Sequence, residues 1–264
     1  MKKIYLGIDI GGTNIKAVKM ENFLRPPASY LSLPTPRTLQ EIEKAITALA
    51  EKIGRGGGST ALAGIGIGMP GIVNKKSGKI IKAPHVPSLD GWNAVSAMQA
   101  RFSVPVKIDN DSRLMLVAEA KFGKARGKKN VLGVAIGTGI GGGLMTDGRV
   151  AQGAHGAAGE FGHMLVEMAK EREWEELAAK RAFERWGDRS VTIGRGIANL
   201  INAFDPEIVV VGGGGAASGK IDFGVVRSEV RRLVLSPDAK RTPVVEAALG
   251  ERAQAIGAAL LFLP

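Results

Sequence analysis

Apolar positions along the chain fall into short strand-length runs separated by glycine clusters, with helical periods between them. Residues 4–10 form the first run, ending in Asp9-Ile10-Gly11-Gly12-Thr13-Asn14, and Ile15, Ala17 and Val18 resume a strand pattern. Strand, glycine turn, strand predicts a hairpin. Residues 22–36 are proline-rich and predict a strand set in loops. Thr38 opens a helix, with Glu41 three residues on as a capping box. That helix runs to about Ile53, and Arg55-Gly56-Gly57-Gly58-Ser59 ends it. Ile65 and Ile67, framed by glycines, predict a short buried strand that turns at Met69-Pro70-Gly71. Residues 74–78 predict a hairpin loop between Ile72-Val73 and Lys79-Ile80-Ile81, and residues 92–102 predict a helix.

The centre of the pattern is Val106-Lys107-Ile108-Asp109-Asn110-Asp111-Ser112. Val106 and Ile108 alternate with polar neighbours, as in a short strand. Asn110, Asp111 and Ser112 are helix-capping residue types. Leu114, Val117, Ala118 and Lys121 then fall at helical spacing, with Glu119 on the other side. Three short polar side chains therefore stand at a strand's carboxyl end, where α/β folds bind ligands. Taken alone, Asp111 reads as a helix cap.

Beyond a basic linker at residues 121–129 the opening plan returns. Residues 131–136 predict a strand, Gly137-Thr138-Gly139-Ile140-Gly141-Gly142-Gly143 a turn, Leu144-Met145 a continuation, and Thr146-Asp147-Gly148-Arg149 a hairpin turn. Two copies of one plan predict two similar lobes closing on one polyanion. Adjacent glycines let backbone N–H groups converge on an anion, and each turn adds a threonine hydroxyl. Asp9 sits where a carboxylate could orient a metal ion's water. Small residues then surround Glu160 and His163. Residues 173–186 and 191–204 predict helices. Ile208-Val209-Val210-Val211 feeds Gly212-Gly213-Gly214-Gly215 and a helix over 221–235, a nucleotide-accommodating pattern. Val244-Val245 predicts a last strand and residues 253–261 a closely packed small-residue helix.

Composition changes the picture in three ways. With 264 residues and 45% apolar content the chain is globular, long enough for one or two domains. No cysteine is present, which excludes disulfides and cysteine-ligated zinc or iron–sulfur sites. The net charge of +11 suits an anionic partner, while 5% aromatics leaves few platforms for single-stranded nucleic acid. No apolar run reaches a membrane span, and Met1-Lys2-Lys3 leads straight into a strand pattern, so a cytoplasmic protein is expected.

In this order the motifs resemble the ROK family of sugar kinases and repressors, over nearly the whole chain. Asp9-Ile10-Gly11-Gly12-Thr13 looks like the family's first phosphate motif, Met69-Pro70-Gly71 like its sugar-site turn, and Asn110-Asp111 like its sugar-binding Asn and catalytic Asp. Gly137-Thr138-Gly139 looks like the second phosphate motif, Gly159-Glu160-Phe161-Gly162-His163 like the segment whose Glu and His bind sugar hydroxyls, and residues 208–214, with Gly213 and Gly214, like the adenosine site. The resemblance implies an actin-like, hexokinase-type (ribonuclease H-like) α/β ATPase fold of two lobes with duplicated sheet-plus-helix domains. It places residues 1–109 with a C-terminal helix at about 252–264 in the small lobe, residues 110–251 in the large lobe, and the active site in the cleft between them.

The implied activity is ATP-dependent phosphorylation of a hexose, glucose by default, with fructose, mannose, N-acetylmannosamine and allose open. Asp111 would be the general base, Asn110, Glu160, His163 and Glu175 would hold sugar hydroxyls, and Mg²⁺ would accompany ATP. The chain departs from the family in lacking its Cys-rich zinc loop: residues 164–173 are short and charged, so no structural zinc is expected and a backbone group or carboxylate is expected to hold the His163 ring. Glu175 best fits the second sugar-binding Glu, with Glu176 its rival. His85 and His155 read as structural. A homodimer is implied, and neither a membrane nor nucleic acid is expected as a partner. One rival is a polyphosphate-dependent glucokinase, favoured by the charge and by Lys240-Arg241. Another is a non-catalytic sugar-sensing or DNA-binding regulator; against it stand Asp111, both phosphate motifs and the absence of a helix-turn-helix ahead of Ile4.

Overall fold

The computed structural model describes residues 2–54 and 60–263. The chain divides into two compact units, Met1–Ala118 with Gln152–Ala157 and Arg252–Pro264, and Glu119–Ala151 with Ala158–Glu251. The glycine run at 55–59, read as the end of the first helix, lies outside the described residues.

In the first unit β1 (Lys2–Ile10), β2 (Asn14–Met20) and β3 (Tyr30–Pro34) form an antiparallel meander, followed by α1 (Leu39–Gly54). β4 (Thr60–Met69) follows, then the small hairpin β5 (Ile72–Asn74) and β6 (Lys79–Lys82), α2 (Ala94–Phe102), β7 (Val106–Asn110) and α3 (Asp111–Phe122). The five-stranded sheet has the order β3-β2-β1-β4-β7, with β4 parallel to β1 and β7 parallel to β4. β1 is central, and Ile4, Leu6, Ile8 and Ile10 are fully buried. The predicted capping box opens α1: Thr38 Oγ1 donates to Glu41 Oε2 at 2.8 Å.

In the second unit β8 (Val131–Ile136), β9 (Ile140–Thr146) and β10 (Arg149–Val150) repeat the meander. Next come the two-stranded hairpin β11 (Leu165–Glu167) and β12 (Arg172–Glu173), then α4 (Trp174–Ala178), α5 (Lys180–Trp186) and α6 (Ser190–Phe204). β13 (Ile208–Gly212), α7 (Gly214–Ala217), α8 (Phe223–Leu233) and β14 (Val244–Glu246) complete it. The sheet order is β10-β9-β8-β13-β14, with β13 parallel to β8 and β14 parallel to β13. Both units thus build one topology from the repeated strand–glycine–strand plan.

α9 (Ala253–Leu260) returns to the first unit. Its small residues have a purpose. Gly7 and Gly66 are register partners on β1 and β4. A Cβ on either would fall on a backbone carbonyl of α9, that of Ala255 or Ala258 respectively. The helix therefore lies directly on the sheet, closer than side chains would allow.

Several elements differ from the sequence pattern. The glycine turn of the second unit is confined to 137–139, and Gly141 to Gly143 belong to β9. The Phe161 ring packs where a Cβ of Gly142 would stand, so glycine here serves contact across the strand. The helix expected over 173–186 is two helices, because Lys180 donates its N–H to the Gly137 carbonyl at 2.9 Å and leaves the helical ladder. A one-turn helix, α7, precedes the predicted helix after β13. Glu119 does not lie on a polar face. It is fully buried, and its carboxylate accepts the N–H groups of Lys124 at 2.9 Å and Leu249 at 2.8 Å. Among the described residues no helix is long and apolar enough to cross a membrane.

Candidate active site

β7 ends where α3 begins, and the polar residues divide the work there. The cap is Asn110, not Asp111: Asn110 Oδ1 accepts from the N–H groups of Ser112 at 3.0 Å and Arg113 at 3.1 Å. Asn110 Nδ2 donates to the Gly71 carbonyl at 3.0 Å, tying the Met69-Pro70-Gly71 turn to the helix start. Gly71 has φ +78°, and a Cβ there would strike the Lys82 carbonyl, which is why this turn takes glycine. Asp111 is the first residue of α3 and half-buried; its Oδ1 accepts from Ser112 N at 2.7 Å and Ser112 Oγ at 3.1 Å.

Beneath this turn lies an ion pair the sequence did not single out. Asp109 is buried, and its Oδ1 accepts from Arg113 Nε at 2.9 Å and from Asn110 N at 2.8 Å. Its Oδ2 meets Lys75 Nζ at 2.7 Å. Arg113 Nη1 donates to the Gly156 carbonyl at 3.0 Å, which anchors Gln152–Ala157 to the first unit. The only available sequence signal was the i,i+4 spacing of Asp109 and Arg113, and it spans a strand end and a helix start.

Asp9, at the end of β1, is buried, and among the described residues its Oδ1 has no hydrogen-bond partner. Burial, with the charge of Asp111 adding to it and Lys16 opposing, pushes its carboxyl up to about 7. A buried carboxyl with one unpartnered oxygen next to another carboxylate is a group that a cation would satisfy, and Mg²⁺ with its waters fits this donor set. The raised value sets a pH dependence. The folded chain holds a proton on Asp9 that the unfolded chain releases near the ordinary carboxylate value of 3.8. Stability from this group is therefore lost as pH rises from about 4 towards 7. Asp9→Asn is expected to abolish that slope and to be more stable than wild type at pH 8 by a few kcal/mol. Denaturant midpoints measured from pH 4 to 8 check this, and parallel wild-type and variant curves would refute it.

The two glycine turns behave alike. Gly11 donates its N–H to the Asn14 carbonyl at 3.0 Å, and Gly137 donates to Gly139 at 2.9 Å, so each first glycine closes its own turn. Gly12 and Thr13 in one turn and Thr138 in the other are exposed. Thr35 Oγ1 braces the first turn by donating to the Gly11 carbonyl at 2.6 Å. Gly213 has φ +87° and lies so close to β8 that a Cβ would strike the Ile136 backbone; Gly214 after it is exposed.

In the second unit Glu160 precedes a short 3₁₀ turn, Phe161–His163, without its side chain capping it. His163 Nδ1 is 2.8 Å from Glu173 Oε2, and its Nε2 faces Glu160 Oε2 at 4.0 Å. The Glu173 hydrogen bond, followed by the charges of Glu175, Glu173 and Glu160, raises the imidazole above its ordinary value against a desolvation effect that lowers it. Glu175 Oε2 accepts from Ile140 N at 3.2 Å. Glu176 is exposed and instead accepts the Glu173 N–H at 3.1 Å in the capping box of α4. The structure thus brings Glu160, His163 and Glu175 together, with Glu173 added to the set. Asn110 and Asp111 stand with Asp9 in the first unit. His85 and His155 are exposed.

The family model described as the ROK family matches residues 5–190 and 179–264. A glucokinase of Streptomyces coelicolor is 28% identical in an alignment covering 96% of each chain. The structure of a ROK family glucokinase from Streptomyces griseus in complex with glucose and AMPPNP superposes with a TM-score of 0.87 at 26% identity, covering 98% of each chain. An inorganic polyphosphate/ATP-glucomannokinase from an Arthrobacter strain superposes with a TM-score of 0.79 at 27% identity, also covering 98% of each chain.

Proposed function

The chain belongs to the ROK family, and from that we propose that it is an ATP-dependent hexose kinase acting on the 6-hydroxyl of glucose or a closely similar sugar. The single observation that carries the reading is the half-buried Asp111 carboxylate, directly after β7, facing the charge of buried Asp9 at the end of β1, in a chain that matches glucokinases along nearly its whole length.

The sugar hydroxyl attacks the terminal phosphorus of ATP. Its O–P bond forms as the bond to the ADP oxygen breaks, and its proton passes to a carboxylate oxygen of Asp111. Asn110, Glu160, His163 and Glu175 hold the remaining hydroxyls, so a sugar lacking one leaves a polar partner unpaired. Gly12, Thr13 and Thr138 offer exposed donors to the phosphates, with Gly11, Gly137, Gly139, Gly213 and Gly214 shaping the backbone around them. Mg²⁺, when bound with ATP, neutralises phosphate charge, and Asp9 would hold its water shell. A homodimeric cytoplasmic enzyme is part of this reading.

Inorganic polyphosphate is the second donor to weigh, because the net charge is +11 and the Arthrobacter glucomannokinase is described as using both donors. Initial rates with a panel of hexoses, each with ATP or polyphosphate at low and high salt, test the reading. Glucose with ATP is expected to give the highest kcat/KM. A salt-sensitive preference for polyphosphate would transfer the assignment to that donor. No turnover with any sugar, together with DNA retention, would replace the kinase by a regulator.

A further inference from the structure

The segment after His163 is a hairpin, and the hairpin decides what touches the imidazole. Leu165 and Glu173 are register partners across β11 and β12, so the chain returns Glu173 to the side of His163. The exit is locked twice: Trp174 donates its N–H to the Met164 carbonyl at 2.8 Å, and its buried indole donates to the Thr192 carbonyl at 3.2 Å. Glu173 is also the N-cap of α4 and forms a reciprocal capping box with Glu176. Its carboxylate is therefore held by a helix terminus on one side and meets His163 Nδ1 at 2.8 Å on the other.

We infer that Glu173 is the positioning residue of His163, and that this carboxylate–imidazole pair orders the Glu160–His163–Glu175 subsite without a bound metal. The inference rests on the sugar-kinase reading for what the subsite binds. Hydrogen bonding to Glu173 places the proton on Nδ1 and fixes both tautomer and ring orientation, the function a carboxylate serves behind a catalytic histidine. Nε2 is then presented towards Glu160, 4.0 Å away. That gap is too long for a direct hydrogen bond, and with the proton on Nδ1 both Nε2 and the Glu160 carboxylate are acceptors, so a sugar meets the pair by donating one hydroxyl to each.

A metal fits this donor set poorly. His163, Glu173 and Glu175 do bring one donor atom each within 4.8 Å of one another. Nδ1 and Glu173 Oε2 already bond each other, and Glu175 Oε2 already accepts the Ile140 N–H, so a metal held through these atoms would have to displace those bonds. With no cysteine in the chain there is no thiolate to select zinc over this internal network.

The test uses the intact purified chain in excess Mg²⁺. Zinc is expected to be substoichiometric by elemental analysis, and a zinc-selective chelator should leave the rate unchanged. Glu173→Ala is expected to raise the sugar KM by about ten-fold or more while kcat changes by less than about three-fold, the usual effect of losing a residue that orients a ligating histidine. In ¹⁵N spectra at fixed pH, assigned through His163→Gln, the His163 ring should lose its Nδ1–H tautomer in Glu173→Ala. Glu173→Gln keeps an acceptor for Nδ1–H and for the cap, so it should retain both the tautomer and the KM. It also serves if the alanine variant fails to fold. A cap acting on stability alone would lower the melting temperature and move neither readout. The inference is overturned by a folded Glu173→Ala with wild-type tautomer, or by stoichiometric zinc that Glu173→Ala releases. Failure of the sugar reading shows separately, as a His163→Gln variant with an unchanged sugar KM.

Discussion

Asp111→Asn is expected to bind sugar with near-wild-type affinity and to lose about 10²–10⁴-fold in kcat, the range for removal of a positioned general base. The local fold gives no reason for a larger disturbance. Asn110, not Asp111, caps α3, so the helix start survives the change. The contacts that Asp111 Oδ1 accepts, from Ser112 N and Ser112 Oγ, can be accepted equally by an amide oxygen. What the variant loses is a carboxylate able to take a proton. It also removes a neighbouring charge that raises the Asp9 carboxyl, so Asp9 should titrate lower in the variant. Calorimetric sugar binding beside a coupled kinase assay separates the two effects. Turnover within about three-fold of wild type would remove Asp111 from the chemistry, since no general base contributes so little.

Much of the fold follows from local pattern. The two strand–glycine–strand units are set by alternation and by glycines whose role is confined to a few residues, and both became five-stranded sheets of one topology. α1 was legible because Thr38 and Glu41 carry its start within four residues. The positions that were not legible depend on contacts distant in sequence. Glu173 reaches His163 only through the register of a hairpin whose residues, 164–173, show neither a strand nor a helix period. The break between α4 and α5 depends on one carbonyl, that of Gly137, taking the Lys180 N–H across more than forty residues. Glu119 looks like a surface residue in a helical pattern, but it collects two loop N–H groups in the core. Gly156, in a segment that belongs with the first unit, meets the Arg113 guanidinium there, a contact no local pattern shows. The candidate site shows the same division: Asn110, Asp111, Glu160 and His163 lie in recognisable motifs, while the residues that hold them, Asp109, Arg113, Lys75 and Glu173, come from tertiary packing.

Arg113→Met is expected to destabilise the chain by about 3–5 kcal/mol, the cost of stranding one partner of a buried ion pair. Arg113 is 1% exposed and the Asp109 side chain 5%, so neither charge is relieved by water. Methionine fills much of the aliphatic volume, which leaves the electrostatic loss as the main effect. Lys75 stands 2.7 Å from Asp109, but it is 40% exposed and meets the other carboxylate oxygen, so it is expected to offset only part of the loss. Arg113→Lys should recover little, because one ammonium cannot serve both Asp109 and the Gly156 carbonyl as the guanidinium does. Asp109→Asn in the Arg113→Met background should recover stability relative to Arg113→Met alone, since the uncompensated carboxylate is then gone. Midpoints of urea unfolding at constant m give all four values. The effect should also reach turnover: Asp109 accepts the Asn110 N–H, so the variant loosens the turn that aims Asp111. A single variant within 1 kcal/mol of wild type would mean that solvent reaches the pair and that Asp111 is oriented by Asn110 and Ser112 alone.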